Sequence, residues 1–360
     1  MMKLHSMSRQ EGFVKTCLVT GAAGYLGSWL CRSLISDGFR VIGVDLLPAP
    51  GCTWTHFVQD IAKISPEFLK DEEIDTVFNL AALVPIAKEK SLFYKYNADA
   101  ALRIYQWARQ KQCRQFIQVS TSAVFNPATS VLPITEESPT NPFELYGKSK
   151  LQGEVLLKKE SQLPGSPILS IVRPRTILGG RRQGIFFLFF DWIAKNKKVI
   201  FFGSGEQKYQ FVHLKDVLSL LKIIREKSLG GLFHCGGKSF GTLKDDIENL
   251  IQSAGSRSQL VYAPRFLVFL LSGLLRLRLL PFSIWHLKAF EESFYFDLSQ
   301  TIRETGWAPL YGNKEILEEA FRDFIQNPQS SASALSSPHS QPIRNWMVDL
   351  FVKFLNGKRL

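Results

Sequence analysis

Two groups of residues have the types and spacing to do chemistry. TGAAGYLG, from Thr20 to Gly27, follows the apolar run Cys17 to Val19 and opens a helix-like run that ends near Ile35. Gly21, Gly24 and Gly27 therefore lie at a strand-to-helix turn. Missing β-carbons there let the backbone approach a pyrophosphate, and the first helical residues, Tyr25 and Leu26, bring N–H donors and the positive end of the helix dipole. The second group is Tyr146 and Lys150 in YGKSK. Four residues apart on a helix, they share one face, one turn from each other. A phenol titrates near pH ~10 in water, but a neighbouring ammonium favours the phenolate and draws its titration toward working pH. Such a tyrosine can take a proton from a carbinol oxygen and return it.

The residues between these groups extend the pattern. RVIGVD ends on Asp45, roughly 20 residues after the glycines, where a carboxylate bonds the adenine-ribose hydroxyls and repels a 2′-phosphate. NAD is therefore expected rather than NADP. Asp60 and Ile61 follow the run FVQ, a carboxylate and an aliphatic side chain suited to an adenine amino group and ring. In NLAA, residues Leu80, Ala81 and Ala82 keep a strand end small where the cofactor's ribose and phosphates pass. VSTSAVF supplies Thr121 and Ser122 at a hydroxyl-rich strand end upstream of Tyr146.

Positioning these residues requires alternating strands and helices. Runs ending at Thr20, Asp45, Gln59, Leu80, Ser120 and Arg173 read as successive strands, and helical patterns cover 91–111 and 146–159. That order predicts an α/β fold, a doubly wound parallel sheet covered on both faces. The chain's 360 residues and 45% hydrophobic content suit one large domain with a sizeable core. Cys17, Cys31, Cys52, Cys113 and Cys235 have no metal-ligand spacing, so no metal is expected, and they read as free thiols in a reducing compartment. Residues 1–12 lack the apolar core of a signal peptide and read as a disordered tail, which makes the cytoplasm the expected location. The net charge of +12 comes with no basic, aromatic-interleaved block in the first half, which argues against nucleic acid.

TGAAGYLG, Asp45, NLAA, VSTSAVF, PFELYGKSK, RPRTILG, FVHLKDV and ETGWAP together resemble the extended short-chain dehydrogenase/reductases, the NAD-dependent epimerase/dehydratase superfamily, over roughly residues 14–326. The resemblance implies a Rossmann sheet of seven parallel strands, mainly residues 13–175, and a smaller, mostly C-terminal substrate lobe, mainly 176–326, with interleaved segments. It implies a Ser/Thr, Tyr, Lys set in which the hydroxyl residue is Thr121, with Ser122 as second choice. Its hydroxyl would orient the substrate oxygen, and Lys150 would also bond the nicotinamide ribose. Asn97 matches an asparagine that supports the active site and is counted with the cofactor residues. Members often pair as homodimers through the helices represented here by 91–111 and 146–159.

Departures from the family's branches narrow the chemistry. Sugar dehydratases place an Asp-Glu pair where this chain has Ser122 and Ala123, so water elimination lacks its carboxylates. Epimerases commonly carry an arginine just before FVH, to suit a diphosphate, whereas this chain has Lys208 and Tyr209. From Pro264 an apolar run precedes Arg276 and Arg278, shorter than the roughly 20 residues needed to span a bilayer. With FYFDLSQTIRETGW it resembles the 3β-hydroxysteroid dehydrogenase-like branch. Residues 327–342 are Ser/Pro-rich and read as a flexible linker. In 343–360, Ile343, Trp346, Met347, Leu350, Phe351, Phe354 and Leu355 form one apolar helix face with Arg344, Lys353, Lys358 and Arg359 beside it. Such a helix suits an anionic membrane surface or docking on protein. The expected activity is NAD-dependent oxidation and reduction of a secondary alcohol, on a hydrophobic, sterol-like or isoprenoid-like substrate. A nucleotide-sugar epimerase and a non-catalytic NAD-binding scaffold are the alternatives.

Overall fold

The computed structural model describes residues 15–85, 89–180, 186–202, 204–263 and 292–326. In chain order its strands are β1 (Thr16–Thr20), β2 (Arg40–Asp45), β3 (Thr55–Val58), β4 (Thr76–Asn79), β5 (Gln115–Val119), β6 (Ile168–Pro174), β7 (Thr176–Leu178), β8 (Val199–Phe202), β9 (Phe211–His213), β10 (Gly231–Cys235) and β11 (Leu260–Ala263). Its α-helices are α1 (Tyr25–Ser36), α2 (Ala100–Gln110), α3 (Leu145–Glu160), α4 (Phe187–Ala194), α5 (Leu214–Glu226), α6 (Leu243–Ser253), α7 (Ser299–Thr305) and α8 (Asn313–Gln326). Seven strands form one parallel sheet in the order β10-β6-β5-β4-β1-β2-β3.

The strands are apolar because both faces of this sheet are covered. Cys17 and Val19 of β1 point to one side, into a cluster with Leu30 and Leu34 of α1 and Leu220, Leu221 and Ile224 of α5. Leu18 points to the other, with Ile104 of α2 and Leu157 of α3. Strand order reverses at β1, which has β2 on one side and β4 on the other, and this opens a crevice at their carboxyl ends. The glycine turn, Asp45, the residues after Asn79 and the end of β5 all face that crevice by topology.

The remaining described elements form the smaller lobe, where β7 pairs with β9 and β8 with β11. α5 and β10 return to the large sheet. FVHLKDV and ETGWAP prove to be joints of this lobe. The Asp216 carboxylate accepts the Leu310 and Tyr311 N–H groups at 2.9 and 3.1 Å, and Trp307 Nε1 donates to Ser219 Oγ at 2.9 Å.

The helix expected over 91–111 is broken. A short turn at Lys90–Leu92 and a π-helical turn at Lys95–Asp99 precede α2. Expectations for residues 1–12, for the apolar run from Pro264, and for 327–342 and 343–360 lie outside the described residues. Among those described, no helix is long and apolar enough to cross a membrane.

Candidate active site

Close backbone approach builds the glycine turn. Gly21 adopts φ +69°, and a β-carbon there would lie 2.8 Å from the Ala81 nitrogen, while one on Gly27 would lie 2.0 Å from the Gly21 carbonyl oxygen. α1 therefore starts hard against the ends of β1 and β4. Its N-cap is Gly24, which brings no side chain to the first turn, and Tyr25 and Leu26 there are half-buried. A side-chain-free cradle at an uncapped helix N-terminus fits a pyrophosphate. Asp45 stands beside it, its Oδ2 accepting the Ala23 N–H at 3.0 Å and its Oδ1 the Leu47 N–H at 3.1 Å.

A polar row ties the strand ends together. Thr20 Oγ1 donates to Asn79 Oδ1 at 2.5 Å and accepts the Leu80 and Ala81 N–H groups, each at 3.2 Å. Asn79 Nδ2 donates to Gln118 Oε1 at 2.7 Å. These buried groups satisfy one another, and they hold Leu80, Ala81 and Ala82 half-exposed at the crevice.

At the end of β5 the Val119 carbonyl accepts Lys150 Nζ at 2.7 Å, fixing a lysine only 4% exposed. Two residues on, Thr121 Oγ1 accepts the Ala123 N–H at 3.1 Å and caps the short turn Ser122–Val124. α3 reaches this turn because Gly147 has no side chain. A β-carbon there would stand 2.1 Å from the Ala123 carbonyl oxygen. Tyr146 and Lys150 are thereby brought to the same strand end as Thr121. Tyr146 is half-buried, with its ring 6.1 Å from that of Phe93.

Burial pushes the Lys150 ammonium down to about 8, against the opposing charge of Glu154. Lys150 is therefore cationic at neutral pH and loses that charge in mildly alkaline solution. Glu154, one turn along α3, is 1% exposed. It accepts from Arg173 Nε at 3.0 Å and Nη2 at 2.5 Å, and from Ser120 Oγ. Neither Glu154 nor Arg173 was singled out in the sequence as part of the site; a buried carboxylate four residues after Lys150 was the available signal.

Several expected residues take other partners. Both amide atoms of Asn97 are used within the protein. Oδ1 accepts the Leu83 N–H at 2.8 Å, and Nδ2 donates to the Leu83 carbonyl at 3.1 Å and to Ser149 Oγ at 3.0 Å. It fastens the loop after β4 to the residue before Lys150. Ser122 is buried, and its Oγ accepts Arg175 Nη1 at 3.2 Å, whereas Thr121 is half-exposed. Of the two candidates, Thr121 has the hydroxyl at the crevice. Asp60 Oδ1 accepts the Ala62 N–H at 2.9 Å. Ile61, expected over an adenine ring, is 6% exposed and packs with Leu18, Ile42 and Val44, because the turn that Asp60 caps directs it into the core.

Arg175 was missed in the sequence. It is 2% exposed and joins three segments: Nη1 meets Ser122, Nε donates to the Gln210 carbonyl at 3.2 Å, and Nη2 to the Phe294 carbonyl at 2.7 Å. Its guanidinium lies 4.1 Å from the Phe294 ring centroid and 5.0 Å from that of Tyr209. Burial lowers its titration to about 10, so it stays charged at neutral pH. Tyr209 is itself buried, its hydroxyl 2.6 Å from Thr176 Oγ1.

A sheet that reverses at a glycine turn, with Tyr and Lys beside a Thr-capped strand end, defines a dinucleotide-dependent oxidoreductase of the extended short-chain type. Residues 17–236 match the model of the NAD dependent epimerase/dehydratase family, and the chain belongs to that family. An uncharacterized protein, y4nG, of Sinorhizobium fredii is 33% identical over 94% of this chain and 85% of its own length. A UDP-glucose 4-epimerase of Mycolicibacterium smegmatis is 26% identical over 56% of this chain and 70% of its own. A mouse (Mus musculus) sterol-4-alpha-carboxylate 3-dehydrogenase, decarboxylating, is 23% identical over 64% and 65%. The crystal structure of a Bacillus cereus UDP-glucuronic acid 4-epimerase with UDP-glucuronic acid and NAD shares the fold, with a TM-score of 0.71 at 21% identity over 86% of this chain and 99% of that one. The cofactor is NAD, whose pyrophosphate and ribose the glycine cradle and Asp45 would fit.

Proposed function

We propose that this enzyme interconverts a secondary alcohol and a ketone by hydride transfer, with Tyr146 as its acid/base. The observation that carries the reading is the meeting of Thr121, Tyr146 and Lys150 at the end of β5, on the crevice that the glycine turn opens. Bound NAD supplies the hydride acceptor. Thr121 Oγ holds the substrate oxygen, Tyr146 Oη takes its proton, and the Lys150 ammonium favours the phenolate that can do so. Lys150 keeps two donor hydrogens besides the one given to Val119, enough to bond a ribose as well. Asp45 receives the adenine-ribose hydroxyls, the first turn of α1 and Leu80 to Ala82 border the phosphates, and Asp60 lies at the adenine end. Asn97 acts through Leu83 and Ser149 as a positioning residue.

For the substrate we propose a hydrophobic or lipid-like carbinol. The likeness to the sterol dehydrogenase supports it, as does Tyr209 in the place where epimerases commonly carry an arginine. The basic helix proposed for 343–360 would then hold the enzyme at a lipid surface, and two copies would pair through residues 91–111 and 146–159. The Mycolicibacterium relative favours a second reading, a UDP-sugar epimerase that oxidises one carbon and reduces it again on the same NAD.

The two substrates separate in one experiment. NAD-loaded enzyme is mixed with UDP-glucose, or with a hydroxysterol in detergent, and reduced nicotinamide is followed by absorbance. Accumulation with the sterol supports the lipid reading, and UDP-galactose formed without net reduction supports the epimerase. Neither response would reject both substrate assignments.

A further inference from the structure

We infer that the Tyr25 hydroxyl latches the chain beyond β7 onto the cofactor turn and thereby governs how fast NAD leaves. Tyr25 opens α1 directly after Gly24, and its Oη donates to the Gly179 carbonyl at 2.5 Å across 154 positions of sequence. Residues 179 and 180 are confined on the other side. Gly179 has φ +93°, and a β-carbon there would lie 2.6 Å from His213 Nε2, while one on Gly180 would meet Leu214 Cδ2 at 2.5 Å and Trp29 Nε1 at 3.1 Å. The pair is threaded between α1 and the start of α5.

The wall behind it is fixed. His213 is fully buried, its ring stacks on Tyr311 at 3.9 Å between centroids, and its Nε2 lies 3.0 Å from Glu319 Oε1. His213 Nδ1 accepts the Lys215 N–H at 3.2 Å, which places the ring hydrogen on Nε2, toward Glu319. The lobe side of the strap is thus braced by α5 and α8, and the cofactor side by Tyr25. A pyrophosphate at the first turn of α1 adjoins Tyr25, so a strap held on that side chain borders the route by which the cofactor departs. Tyr25 has two separable parts here, a backbone N–H in the cofactor turn and a hydroxyl that reaches the lobe.

The inference requires only that the enzyme binds NAD, whatever its substrate. It is tested by loading the full-length enzyme with NADH, chasing with excess NAD, and timing the loss of protein-bound NADH fluorescence. Tyr25→Phe keeps the ring and the backbone N–H, and should speed release about tenfold with an unchanged circular dichroism spectrum, the effect of one lost hydrogen bond. Gly179→Ala, which clashes with His213, should speed release as well, and adding Tyr25→Phe to it should change little more, since both break one contact. Wild-type release from Tyr25→Phe would overturn the inference. So would multiplying effects in the double variant, which would put the hydroxyl on the cofactor itself. Should Gly179→Ala fail to fold, the Tyr25→Phe rate decides alone.

Discussion

In the cofactor half, segments are brought together mainly by backbone and by missing side chains. Gly21 sits on Ala81, Gly27 on Gly21 and Gly147 on Ala123, each with no room for one more carbon. In the substrate lobe the same task falls to buried polar side chains. Arg175 joins the Ser122 turn to Gln210 and Phe294, Asp216 holds residues 310 and 311, and Asn313 bonds both the Phe211 N–H and the Tyr209 carbonyl. A site that recognises a constant cofactor can be made of tight turns, whereas a lobe assembled from distant segments needs specific fasteners. The proposed catalytic cluster lies where the two constructions meet, with Thr121 on one side of Ser122 and Arg175 on the other.

Substitutions on each side of that junction sharpen the contrast. Tyr146→Phe should reduce turnover about 10³-fold while NAD affinity stays within about twofold, as titration calorimetry would show, because the role proposed for the hydroxyl is proton transfer. Arg175→Met leaves three buried oxygens without their donor and should lose about 3–5 kcal/mol in urea unfolding. Arg175→Lys should recover little of it, since one ammonium cannot span the guanidinium's three partners. Thr121→Ala should slow turnover about 10²-fold, against a few-fold at most for Ser122→Ala. Equal losses would return Ser122 to the active site.

The smallest effect is a pH slope. His234 is buried and stacked at 4.0 Å on Phe296, and burial, then the Arg173 charge, pushes its titration down to about 3. Between pH 6.5 and about 3 the unfolded chain binds a proton that the folded chain refuses, so stability present above pH 6.5 is lost as pH falls. Burial raises the Glu136 carboxyl, which acts with the opposite sign. His234→Phe should therefore flatten the fall in melting temperature between pH 6.5 and 4, and an unchanged slope would place the acid sensitivity elsewhere.

This difference in construction also decides what could be read from the sequence. The glycine spacing is legible because close backbone approach demands it, Asp45 and the Tyr146/Lys150 interval because side-chain type and spacing suggest their chemistry, and the sheet followed from strand-like runs whose ends shifted by at most one residue. Asn97 was legible as a supporting residue, but not its partners, Leu83 and Ser149, which come together only after α3 packs. The burial of Ile61 was not legible, because the cap made by Asp60 turns the next side chain inward. Arg175 gave no signal, as an arginine at a strand end ordinarily means solvent, and its three partners lie 35 to 119 positions away.

The most direct test of the chemistry is isotopic. NAD-loaded enzyme is incubated with UDP-glucose or a hydroxysterol deuterated at the reacting carbinol carbon, and the cofactor released by denaturation is weighed by mass spectrometry. Hydride transfer assisted by Tyr146 predicts deuterium on the reduced nicotinamide that accumulates with the sterol, or, with UDP-glucose, only on the small reduced fraction trapped in mid-turnover, since an epimerase returns the same deuteride to the sugar; Tyr146→Phe should slow this labelling about 10³-fold. Labelling of the variant at the wild-type rate would contradict the assignment of Tyr146 as the acid/base.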